Sequence, residues 1–256
     1  MAGRGQWLER AGGRLARFLT GPRPGKGAAP VSGLGSWLPY LKTGDVLLVE
    51  GSSRISTAIK YLTQSTWSHA ALVLGPHPGP EDPVHLVEAD VVEGVRCVPA
   101  SIYLGSNVRI CRPWGLDAAQ RRAVANHALV RLGHQYDLRN IVDLARYLFP
   151  LPPVPSPWRR RLITLGSGDP TRAICSTLIA EAFQSQAYPI LPELLDAEAL
   201  RRGEPLPLQA RHHSLVTPRD FDLSPFFEVR KPSFVLAQEA GRALIYSDGI
   251  HEAQVN

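Results

Sequence analysis

The sequence predicts an α+β domain in which short strands pair in succession and helices cover the resulting sheet. Two observations carry that reading. Residues 67–75 and 84–89 read as strands joined by a Pro/Gly-rich turn, and the segments beginning at Asp117 and near Cys175 place apolar residues at helical spacing. Size agrees: 256 residues, 44% of them hydrophobic, can bury a full core, with about three-quarters of the unfolded surface going inside. One main domain, 36–236, suffices, preceded by a segment 1–35 and followed by a tail 237–256.

The first segment differs in character from the rest. Trp7, Leu8, Ala11, Leu15, Phe18 and Leu19 recur at helical spacing beside Arg10, Arg14 and Arg17, and Glu9 is the only acidic residue there. Gly12 and Gly13 each weaken an isolated helix by about 1 kcal/mol relative to Ala. Residues 4–19 are therefore expected to order either on an anionic membrane surface or against the domain. Gly21 to Gly35, with Pro22, Pro24 and Pro30, reads as a linker.

Within the domain, Val46-Leu47-Leu48 follows Gly44-Asp45 as a first strand. Trp67 to Gly75 is the next, ended by the glycine, and Val84 to Ala89 the one after. Val95–Val98 and Val108–Cys111 are also strand-like, which makes Cys97 and Cys111 core residues. Asp117-Ala118-Ala119-Gln120 resembles a capping box, and Val124, Ala128, Leu129 and Leu132 give one apolar face before Gly133 stops the helix. Asn140 to Phe149 reads as a further helix, broken by the prolines of 150–157. Together with 188–209, this insertion is placed to border an active site, because long loops in a compact domain commonly serve as lids or binding elements.

Cys175 carries the chemistry. It follows the helix-start signal Asp169-Pro170-Thr171, and a helix N-terminus or a nearby His lowers a thiol pKa from about 8.5 into a range of about 3.5 to 7.5. The ordinary role of such a residue is a small buried hydrophobe, packed here with Ile174, Leu178 and Phe183. Strand alternation puts His69 on one face with Ala71 and Val73, and Glu88 on one face with Leu86 and Val84, so the two can meet across paired strands. Singly, His69 suits a hydrogen-bonded strand end and Glu88 a solvated edge charge. Jointly they supply a base and the group that orients it, in the order Cys175, His69, Glu88.

The succession Gly44-Asp45-Val46, Ser68-His69-Ala70, Val87-Glu88-Ala89 with Gly94-Val95, Gly133 through Tyr136-Asp137, and Cys175-Ser176 resembles the circularly permuted branch of the NlpC superfamily, the YiiX/YebB-like cysteine hydrolases. Thr217 to Ser224 resembles the segment that closes their domain. The resemblance implies a permuted papain-like fold: an antiparallel sheet or half-barrel packed against helices, among them the one bearing the nucleophile. It implies thiol-dependent cleavage of an amide in a peptide, cell-wall fragment or acylated small molecule. Cys175 would be nucleophile, His69 base, Glu88 orienting group, and Tyr136 a phenol able to hydrogen-bond the reacting group. Two other readings stand beside it. One is a lecithin:retinol-acyltransferase-like lipid acyltransferase or acylhydrolase, which the apolar 140–157 insertion favours. The other is a binding module without catalysis.

Composition narrows the remaining classes. Three cysteines, an odd number, without an apolar leader run point to a reduced, cytoplasmic setting, with the protein peripheral on the inner face of the membrane if residues 4–19 dock there. The net charge of +5 and pI near 9.3 suit an acidic partner. Nucleic acid is not expected, because the arginines are spread along the chain without aromatic interleaving or finger spacing. Neither His85 with Glu88 and Asp90 nor His212-His213 fits a metal motif, and no phosphate-cradling glycine loop precedes a helix, so neither metal nor cofactor is expected.

Overall fold

Strand β1 (Val46–Val49) is buried along its whole length, as a run of Val and Leu without alternation requires when both faces of a sheet are covered. The computed structural model describes residues 21, 37–76, 84–134, 174–194, 208–231, 244–245 and 252–253. After β1 come α1 (Arg54–Thr63), β2 (His69–Pro76), β3 (Val84–Asp90), β4 (Gly94–Pro99), β5 (Val108–Pro113), α2 (Ala118–Leu129), α3 (Ile174–Gln184), the two-residue strands β6 (Glu193–Leu194) and β7 (Leu208–Gln209), α4 (Pro218–Leu223) and β8 (Phe227–Arg230). Six strands form one sheet in the order β4-β3-β2-β1-β5-β8, antiparallel throughout. This is the expected α+β architecture with an antiparallel sheet.

The period of two divides the apolar residues between the faces. Val46, Leu48, Ala70, Leu72, Val87 and Ala89 pack with Leu178, Ile179, Ala182 and Phe183 of α3. Leu47, Val49, Ala71, Val73 and Leu86 pack with Trp37, Leu41 and Ala100 on the other side. Burying a Leu or Phe contributes about 1.5–3 kcal/mol, so α3 is held to the sheet chiefly by its apolar stripe. Two polar contacts add direction: Ser176 Oγ donates to the Val216 carbonyl at 2.6 Å, and Arg131 pairs with Glu181.

The Gly-Asp step before β1 has a structural role. Asp45 is fully buried and accepts from Arg112 Nε at 2.9 Å and Nη2 at 2.6 Å, and from the Lys42 amide at 2.9 Å. Arg121 of α2 lies 3.5 Å away. Gly44 turns into the strand at φ +82°, a conformation glycine adopts without a Cβ clash. One carboxylate thus ties β1 to β5 and α2.

Three sequence expectations need correction. Gly75 does not end β2: the strand runs on to Pro76, and the register shifts between Val73 and Gly75, where φ is +103°. The glycine marks a bulge, the other use of an isolated Gly in a strand. Helix α2 has its capping box, but it stops at Leu129 and leaves Leu132 41% exposed in the turn before Gly133. Cys97 is exposed because β4 is the sheet's edge strand and α3 packs over β2 and β3. The segments 4–19, 140–157 and 195–207, Tyr136, and the Asp169-Pro170-Thr171 signal lie outside the described residues.

Candidate active site

Residues 72 and 87 face each other across β2 and β3. That register puts Glu88 on the same side of the sheet as Ala71, and hence as His69 two residues earlier. His69 Nε2 lies 2.9 Å from Glu88 Oε2. Cys175, second residue of α3 and 5% exposed, lies near enough to the same imidazole to act on its charge. His69 is the first residue of β2, and with Nε2 facing Glu88 its Nδ1 is the nitrogen left for a sulfur partner. Three of the four residues singled out in the sequence are therefore brought together.

The electrostatics of the three are coupled. Burial works against a charged His69 ring, but the charge and hydrogen bond of Cys175, then those of Glu88, outweigh it and lift the pKa from 6.5 to about 10. Burial likewise opposes an ionised Glu88; the His69 hydrogen bond and charge, with Tyr103 and Arg96, overcome it and hold the carboxyl at about 2. At neutral pH these interactions favour the charged ring beside an ionised Glu88. Burial pushes the thiols of both Cys97 and Cys111 up from the ordinary value.

Glu88 is 1% exposed and has partners beyond His69. Arg96 donates to Oε1 through Nε at 2.9 Å and Nη2 at 2.8 Å, and the Tyr103 hydroxyl donates to Oε2. The Tyr103 ring centre is 6.0 Å from that of His69. Neither residue was singled out in the sequence. Arg96 had a signal: a hairpin pairing Asp90 with Gly94 sets Glu88 opposite Arg96. Tyr103 had none, because it reaches the site from the single-turn helix Ala100–Tyr103.

The start of β2 is held from several directions. Ser68 accepts from the Gly51 amide at 2.9 Å and donates its own amide to Val49. Trp67 Nε1 donates to Asp222 at 3.1 Å. The Arg109 guanidinium pairs with Asp222 at 2.6 Å and sits 4.8 Å over the Trp67 ring. These contacts fix the backbone from which His69 projects. Among the described residues, no group of three or more His, Cys, Asp or Glu is arranged to hold a metal, and no helix is long and apolar enough to cross a membrane.

Residues 40–149 match the family described as permuted papain-like amidase enzyme, YaeF/YiiX, C92 family. Over this stretch the chain is similar to the YiiX-like, permuted papain-like cysteine hydrolases. The matched stretch contains His69 and Glu88 and ends before Cys175. Among solved structures, the chain is similar to the metalloprotein yiiX from Escherichia coli O157:H7, with 19% identity, a TM-score of 0.46, and coverage of 74% of this chain and 96% of that one. No curated protein matches it by sequence.

Proposed function

We propose that this YiiX-like hydrolase cleaves an amide bond in a peptide, a cell-wall fragment or an acylated small molecule, with Cys175 as nucleophile, His69 as acid and base, and Glu88 as the group that orients His69. The observation that supports this most is His69 held between Cys175 and Glu88, a nucleophile–base–orienter arrangement.

The chemistry follows from that order. Cys175 enters the reaction as thiolate, stabilised by the imidazolium and by the positive end of α3. Sulfur attacks the amide carbonyl, and the oxyanion that forms lies at a helix terminus whose first amides have no acceptor within the helix. Collapse breaks the C–N bond. His69 gives its proton to the departing amine, leaving an acyl-thioester on Cys175 and a neutral ring. Water then attacks the thioester while His69 takes a proton from it. Loss of the thiolate releases the acid and restores the starting pair.

Intact-mass spectrometry of the protein mixed with an amide or its matched ester tests the assignment. The expected result is an acyl adduct on Cys175 and amide turnover, both absent in Cys175→Ala, with kcat/KM reduced by at least about a thousandfold. Turnover retained in that variant overturns the nucleophile. Steep dependence on acyl-chain length, coupled to transfer onto a lipid acceptor, replaces the amidase with an acyltransferase.

A further inference from the structure

Glu88 is the residue through which the site communicates with the rest of the β3–β4 hairpin. A carboxylate offers about four acceptor directions, and at 1% exposure water cannot fill them. Oε2 takes His69 and Tyr103, and Oε1 takes two donors from Arg96. Arg96 is itself braced by Glu93 at 2.9 Å and Asp90 at 3.7 Å. His69 comes from β2, Arg96 from β4 and Tyr103 from the turn after β4, so three segments converge on one buried anion.

We propose that Arg96 and Tyr103 are positioning residues of the catalytic group: they hold Glu88 ionised and fixed in place, so that His69 keeps Nε2 on Glu88 and presents Nδ1 to Cys175. This rests on the reading of Cys175 and His69 as the reacting pair. A buried carboxyl with fewer donors takes up a proton more readily, and a neutral Glu88 no longer stabilises an imidazolium. Tyr103 is suited to the task because burial and the Glu88 charge push its pKa upward, which keeps the phenol a donor. Both hydrogen bonds to Oε2 must be kept for the ring to stay in register, because the acceptor is shared.

An ordinary hairpin salt bridge would change stability alone; a positioning role changes the pH dependence. The experiment follows iodoacetamide alkylation of Cys175 from about pH 4.5 to about pH 9 in wild type, Arg96→Gln, Arg96→Lys and the near-isosteric Tyr103→Phe, with circular dichroism to verify folding. In Arg96→Gln the acid limb should move up by about one unit, so that the rate at about pH 5 falls about tenfold further than the rate at about pH 8. Arg96→Lys, which keeps the charge, should recover part of that shift, and Tyr103→Phe should shift the same way by less. Profiles with the wild-type shape, merely scaled, in both Arg96→Gln and Tyr103→Phe overturn the proposal. A wild-type Cys175 that alkylates no faster than a free thiol overturns the reacting-pair reading itself.

Discussion

His69 and Glu88 each carry a charge that folding makes easier to hold, and the two titrate at opposite ends of the pH scale. The folded-state pKa of His69 is raised, so its contribution to stability is fully present below about 6.5 and is lost as pH rises through about 10. Glu88 is depressed, so its contribution is present above 4.5 and lost as pH falls through about 2. The two overlap fully between those ordinary values, and stability should be greatest there as far as this pair decides it. Urea midpoints measured at about pH 5.5 and about pH 9.5 should fall on going to the alkaline condition, and fall less in His69→Ala; equal losses would mean that the ring does not titrate as a buried imidazolium. Cys175, His69 and Glu88 were picked out from residue type and strand alternation, which are local. Arg96 was within reach once the hairpin turn was located, whereas Tyr103 depends on where a single helical turn packs, which no local pattern encodes.

Strand alternation and capping chemistry made β2, β3 and α2 readable as elements, and the misreadings occur where burial depends on a neighbour. Cys97 sits in a strand-like run, yet its burial depended on a helix crossing β4, and α3 crosses β2 and β3 instead. Gly75 looked like a stop because the bulge it permits is visible only in the pairing register. Asp45 looked like part of a sequence motif, and its work is to join β1, β5 and α2 through Arg112 and Arg121. Removing one partner of a buried pair costs about 3–5 kcal/mol. Asp45→Ala should therefore lower the stability measured in urea by that amount, leaving Arg112 buried without its carboxylate. A loss below about 1 kcal/mol, typical of an exposed pair, would contradict the role given to Asp45.

At the scale of the whole molecule, the site is assembled from two distant parts of the chain. His69, Glu88 and the residues around them come from the strands within the 40–149 match, and Cys175 comes from a helix beyond it. The central claim is that these parts act as one thiolate–imidazolium group. Exposure and the proposed pairing with His69 predict opposite orders of reactivity, since Cys97 is exposed and Cys175 is 5% exposed. Labelling with substoichiometric iodoacetamide at about pH 7, read by peptide mass spectrometry, compares them in the same molecule. The account expects Cys175 to be modified first, by at least about tenfold over Cys97 and Cys111, and expects His69→Ala to remove that advantage in a folded chain. Preferential labelling of Cys97 in wild type, or an advantage for Cys175 that survives His69→Ala, would contradict it.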